Sequence, residues 1–139
     1  MDETDTARRP TLHLICGKAA AGKSTLASRL GAAPATIVIA EDDWLSRLYE
    51  GEQRTIADYI RNSRRLREVM GDHIVALLKS GLSIVLDFPA NTPAMRQWMR
   101  GLFEQADAAH KLHFLDVTDE VCKVRACISV MRRARTLLP

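Results

Sequence analysis

The sequence is poor in cysteine. Cys16, Cys122 and Cys127 are its only three in 139 residues, and no two stand in a CxxC pair. An odd count without that spacing excludes a disulfide-stapled scaffold or a zinc ribbon and points to reduced thiols in the cytoplasm. No apolar run approaches the ~18 residues that a membrane span needs. The opening MDETDTARRP is polar, with no apolar stretch behind it, so no secretory leader is expected. Internal repeats and low-complexity linkers are also missing. Acids are missing from residues 121–139, which hold Lys123, Arg125, Arg132, Arg133 and Arg135. The first 120 residues therefore carry 15 basic and 17 acidic side chains, a balance of −2 against +3 for the whole chain. The basic character belongs to the tail, and a basic body built for duplex nucleic acid is not expected.

What is present is an ordinary globular composition, 47% hydrophobic and 27% charged, at a length that suits one domain. Residues 11–16, TLHLIC, read as a short strand, and residues 23–30 as a helix stopped by Gly31 and Pro34. ATIVIA, 35–40, is a β-branched run of the kind buried on both faces. From 55 to 80, Ile56, Tyr59, Ile60, Leu66, Val69, Met70, His73, Ile74, Leu77 and Leu78 recur at helical spacing, with Gly81 after them. Gly71 is a weak point in that helix. LSIVLD, 82–87, is a further strand. Residues 93–108 read as a helix with Thr92 as cap and Pro93 in its first turn. KLHFLDV, 111–117, is a fourth strand, and a last helix runs from about Glu120 to Arg135. Strands alternating with helices predict an α/β, three-layer domain with a mostly parallel sheet. Residues 1–10 are expected to be a disordered tail ahead of a single domain, 11–139. In such sheets ligands bind beyond the carboxyl ends of the strands. Residues 16–24, 41–43 and 87–92 fall there.

The first of these places carries the strongest signal. Gly17, Lys18, Ala19, Ala20, Ala21, Gly22, Lys23 and Ser24 fit GxxxxGK[ST] without a gap, and Thr25 follows. Small residues let the backbone wrap phosphate oxygens, and the next helix turns its positive end toward the anion. Lys23 is placed to reach the β- and γ-phosphates of ATP, and the Ser24 hydroxyl to ligate Mg²⁺. Average residue frequencies give roughly a 1-in-200 chance of the pattern in a chain this long. A solvated lysine in an ordinary β–α turn is therefore the weaker reading.

The second place is EDDW, after ATIVIA. Asp42 or Asp43 is positioned to take the proton of an acceptor hydroxyl. The competing assignment makes one of them the cap of a helix starting at Trp44. Asp87, after SIVL, has the placement of a Walker B acid that holds Mg²⁺ directly or through water. Asp116 reads as a structural strand-end residue. His110 and His113 have no third ligand in view and read as ordinary histidines. Arg61, Arg64 and Arg65 read as a solvated helix face, with an acceptor clamp as the sharper alternative. Trp44, Tyr49, Tyr59 and Trp98 are core candidates, and Trp44 is the one allowed near a substrate.

With its phosphate loop, IAEDDWL (39–45), IVLDFPANTP (84–93) and LHFLDVTDEVC (112–122), the chain resembles the small P-loop kinase-like group. That group holds AAA_33-type ATP-binding proteins, zeta-toxin-like kinases, chloramphenicol phosphotransferase and the phage polynucleotide kinase domain. The resemblance spans about residues 11–124. It implies the P-loop NTPase fold, ATP on Gly17–Thr25, and Mg²⁺ at Ser24. It makes Asp42, the first of the double Asp, the acceptor base, and sets Asp87 and Asn91 on the acceptor side. It also implies an arginine-bearing lid and an adenine-side segment after the fourth strand. Those are expected to be incomplete here, with Arg125, Arg132, Arg133 and Arg135 as the candidate lid arginines.

Three functions follow as expectations. One is an ATP-dependent phosphotransferase acting on a hydroxyl of a small molecule or nucleotide. Another is a nucleotide binder without useful catalysis, completed by a partner or by self-association through Ile128, Val130, Leu137 and Leu138. The third is a polynucleotide 5′-kinase, which the basic tail allows and the balance of −2 opposes.

Overall fold

The structure is a computed structural model, and it describes residues 9–17, 22–90 and 92–115. Four strands and four helices alternate along it. Strand β1 is Thr11–Gly17, helix α1 Lys23–Gly31, β2 Thr36–Ala40, α2 Glu41–Leu48, α3 Ile56–Lys79, β3 Ser83–Asp87, α4 Pro93–Ala106 and β4 Ala109–Leu115. The strands form one sheet in the order β2-β3-β1-β4, and every pairing is parallel. This is the expected α/β architecture. The last expected helix lies outside the described residues, as do residues 1–8 of the N-terminal segment. Arg9 and Pro10 are tied to the fold: Arg9 donates to the Asp107 carbonyl at 3.0 Å, and the Pro10 carbonyl accepts from the Ala109 amide at 3.0 Å.

Strand periodicity sorts the sheet's side chains between its two faces. Leu12, Leu14 and Cys16 of β1 and Ile84 and Leu86 of β3 point to one side. They meet Leu66, Met70, Ile74 and Leu78 of α3, and Met95, Met99 and Leu102 of α4. Ile15 and Val85 point to the other side, where Ala27, Leu26 and Leu30 of α1 cover them. Phe88, just past β3, is buried and stacks on Trp98 at a centroid distance of 5.6 Å.

Local signals explain most boundaries. Thr55 and Asp58 form a capping box on α3, with the Asp58 amide 3.1 Å from Thr55 Oγ1 and the Thr55 amide 3.2 Å from Asp58 Oδ2. Thr92 caps α4 by accepting from the Met95 amide at 3.2 Å, with Pro93 in the first turn. Helix α3 runs unbroken through Gly71 and ends two residues before Gly81.

Three readings need correction. Gly31 is the last residue of α1, and its backbone is not left-handed. A Cβ there would overlap the Val38 side chain, so glycine permits a close approach of α1 to β2. Ile56, Ile60 and Val69 belong to the apolar pattern of α3 yet are exposed, Ile56 by 79%. The buried stripe runs instead through Ser63, Leu66, Met70, Ile74 and Leu78, with polar Asn62 and Ser63 at its start. Helix α2 begins at Glu41, three residues before the expected start. Its cap, Ala40, offers no side-chain bond, so neither Asp42 nor Asp43 is a cap. Both lie in the first turn, where acids favour the positive end of the helix.

Candidate functional site

The carboxyl ends of β1, β2 and β3 define the site. Ala40 of β2 lies in register with Asp87 of β3, and β3 pairs with β1. The chain therefore leaves three adjacent strands at one edge. From β1 it leads from Gly17 through residues 18–21, so Lys18, Ala19, Ala20 and Ala21 lie outside the described residues. Gly22 re-enters at φ 98°, a left-handed backbone that glycine adopts without strain. Helix α1 starts at Lys23, and Lys23, Ser24 and Thr25 form its first turn, which contains no acid. Helix and lysine thus present positive potential at the edge.

Ser24 Oγ donates to Asp87 Oδ2 at 3.3 Å, a bond that ties the first turn of α1 to the end of β3. Asp87 is half-buried, and loss of hydration pushes its carboxyl above the usual value of 3.8. The Ser24 bond and the Lys23 charge oppose that rise, while the Asp42 charge adds to it. Four sequence-predicted residues thus share one electrostatic neighbourhood. Lys23, Ser24 and Asp42 all act on Asp87.

Asp42 and Asp43 part company here. Asp43 points along the outside of α2, where its Oδ1 pairs with Arg47 Nε at 3.2 Å. Asp42 is exposed in the first turn of α2, directly after Ala40, which lies in register with Asp87, and its charge raises the Asp87 carboxyl and the Tyr59 hydroxyl. Among the described residues it has no hydrogen-bond or ion-pair partner. Trp44, two residues on, is 41% exposed beside it. Asn91 lies outside the described residues, as do Asp116 and the tail arginines Arg125, Arg132, Arg133 and Arg135.

The sequence reading missed Glu41. Only 1% exposed, it accepts from the Tyr59 hydroxyl at Oε1 and from Ser63 Oγ at Oε2, the latter at 2.9 Å. Tyr59 is therefore more than a core ring. Burial and the Glu41 carboxylate push its hydroxyl well above the usual value of 10. A signal existed in the i, i+4 pair Tyr59 and Ser63, which stands on one face of α3 and precedes the buried stripe.

His13 and His113 form a second unforeseen pair, His13 Nδ1 lying 3.0 Å from His113 Nε2. Burial lowers both rings from 6.5, and the neighbouring Lys111 charge adds to this. His110 stacks on Phe103 at 3.9 Å. Arg61 pairs with Asp58 at 3.1 Å on an exposed surface. Arg64 lines a groove of about 390 Å³ between α3 and α4, with Arg67, Trp98 and Gln105. None of Lys23, Ser24, Asp42 or Asp87 lines it.

A hydroxyl and a carboxylate oxygen 3.3 Å apart are hard donors of the kind Mg²⁺ takes beside phosphate and water. No cluster of three or more His, Cys, Asp or Glu among the described residues could cage a metal alone. A nucleotide's own oxygens would have to complete the shell.

The AAA_33 family, an AAA domain, matches residues 12–128, and the chain belongs to it. No curated protein matches. Solved structures with the same fold include a presumed kinase from Chloroflexus aurantiacus, 18% identical, with a TM-score of 0.77 over 91% of this chain and 69% of that one. The Mycobacterium tuberculosis APS kinase CysC, in complex with AMPPNP and APS, is 21% identical, with a TM-score of 0.62 over 92% and 75%. A chain of the Pnkp1/Rnl/Hen1 complex is 18% identical, with a TM-score of 0.67 over 84% of this chain. The present chain spans only 39% of that one. At these identities the likeness concerns the fold, that of the P-loop kinase-like proteins. Among the described residues no helix is long and apolar enough to cross a membrane.

Proposed function

We propose that the protein is an ATP- and Mg²⁺-dependent phosphotransferase that moves the γ-phosphate to a hydroxyl of a small molecule or nucleotide in the cytoplasm. The observation that supports this reading is the Ser24 bond to Asp87, at the edge where α1 starts with Lys23 and α2 starts with Asp42 in its first turn. Gly17–Thr25 would hold the phosphates, with the backbone of the loop and the α1 N-terminus facing the anion and Lys23 reaching the β- and γ-oxygens. Ser24 and Asp87 would hold Mg²⁺, which when bound neutralises phosphate charge. Asp42 would accept the proton of the acceptor hydroxyl. That oxygen bonds to the γ-phosphorus as the bond to the bridging oxygen breaks, and ADP leaves. Asp43, committed to Arg47, is assigned no part in the transfer.

The test is transfer from γ-labelled ATP to a panel of nucleosides, sugars, amino alcohols and 5′-hydroxyl oligonucleotides. The reading expects a labelled small product with the wild type. Asp42→Asn should bind ATP with unchanged affinity and make at least about 10²-fold less. Labelled oligonucleotide ends, with binding that weakens steeply as salt rises, would instead establish the polynucleotide kinase reading. ATP binding without transfer to any acceptor, water included, would leave a nucleotide-binding protein.

A further inference from the structure

Glu41 is a carboxylate with no need, on grounds of stability, to be where it is. It is almost fully buried, and no lysine, arginine or histidine among the described residues pairs with it. Its two oxygens are held by two neutral hydroxyls. Burying a charge without a counter-charge is costly, and apolar side chains of similar volume usually serve a core as well or better. The tie has a particular location. Glu41 is the first residue of α2, directly before Asp42, and both hydroxyls come from α3 one turn apart. Ala40 gives α2 no side-chain cap, so this tie from its first residue does the anchoring. Leu45 is the other buried residue of α2. The remaining faces, with Trp44 and Leu48, are exposed. Among the described residues, no side-chain bond or ion pair holds Asp42 itself.

We infer that Glu41, clamped by Tyr59 and Ser63, is a positioning residue that fixes the first turn of α2, and with it Asp42, beside the carboxyl end of β3. The inference deepens the phosphotransferase reading and rests on it for the role of Asp42. Glu41 touches neither phosphate nor acceptor. It acts through Asp42, and that makes its effect separable from a general loss of stability.

The experiment has two arms. In the first, backbone hydrogen exchange is followed in the full chain for wild type, Glu41→Ala and Glu41→Gln. Glu41→Ala should lower protection of the α2 amides at least tenfold while the β1 and β3 amides keep theirs. Glu41→Gln can still accept from one hydroxyl and should restore most of that protection. In the second arm, release of ADP from Mg·ATP is measured with water as acceptor. Glu41→Ala should lower kcat at least tenfold with KM for ATP within twofold. It should lower kcat no further when Asp42 is already Asn, because two residues acting as one unit are not additive. Should Glu41→Ala fail to fold, Tyr59→Phe, which removes one donor and leaves the Ser63 bond, carries both arms with a smaller effect of the same sign. Unchanged α2 exchange, or loss of protection spread evenly over the sheet, would overturn the positioning role. So would an effect that persists undiminished in the Asp42→Asn background. A wild type that transfers phosphate neither to water nor to any acceptor of the panel would refute the phosphotransferase reading, and the exchange arm alone would then decide the role of Glu41.

Discussion

Among the described residues, the two faces of the sheet are built to different depths. On one, α3 and α4 close over Leu12, Leu14, Ile84 and Leu86 with a continuous apolar layer that reaches Phe88 and Met99. On the other, the fully buried contacts are Ile15, Val85 and Ala27, with Leu26, Leu30 and Leu115 at their margin. Among the described residues the deep face holds more of the fully buried apolar side chains, and burial of such surface is the main stabilising contribution. The thin face carries α1, whose first turn presents Lys23, Ser24 and Thr25. For the phosphate role proposed for α1 a fixed N-terminus matters more than a deep core; the Ser24 bond to Asp87 ties down that end, and the close pass of Gly31 over Val38 seats the other. Stability and chemistry are thus separable by position, and that separation can be attacked directly.

The largest effect is expected at the edge where the faces meet. Asp42→Asn should lower transfer by about 10²- to 10⁴-fold, the usual worth of a general base, with little change in thermal midpoint. Asp43→Asn removes only an exposed i, i+4 pair and should cost no more than about 0.5 kcal/mol of stability and leave the rate intact. Equal losses from the two would undo the distinction drawn between them. Next comes the deep face. Ile74→Ala should cost about 2–5 kcal/mol in denaturant unfolding while ATP affinity of the folded protein holds. Its counterpart on the thin face, Ala27→Gly, should cost about 1 kcal/mol, mostly helix propensity.

The smallest effect concerns acid. His13 and His113 are both lowered from 6.5 in the folded chain, chiefly by burial. Folding therefore favours their neutral forms. Their contribution is fully present above 6.5 and is lost as pH falls below it. Among the described residues the groups facing the pair are each other and Lys111, and no acid there offsets the second positive charge. Thermal midpoints measured from pH 7.5 to 5 should fall more steeply in wild type than in His113→Gln.

Much of this was legible in the sequence, for local reasons. The turn at Gly22 into α1, the acid closing β3 and the Thr92–Pro93 start of α4 are each set by a few adjacent residues whose conformational demands are strong. The inward face of EDD was not legible. Three consecutive acids after a strand do not show which one points inside until the helix phase is fixed, and α2 starts three residues earlier than a capping rule suggested. The His13–His113 contact joins residues 100 apart and depends on the register of β1 with β4, in which Ile15 lies opposite His113. Ile56, Ile60 and Val69 misled because helical spacing alone does not distinguish the buried stripe from apolar residues beside it.

The account stands on the phosphate site, and one measurement reaches it most directly. The thermal midpoint of the purified protein is compared with and without Mg·ATP, for wild type and Lys23→Ala. At about 100 times Kd, binding should add roughly 2.7 kcal/mol, a rise of several degrees for a domain of this size. The account predicts that rise in wild type and its loss in Lys23→Ala. No rise in wild type, or an equal rise in both, would contradict it.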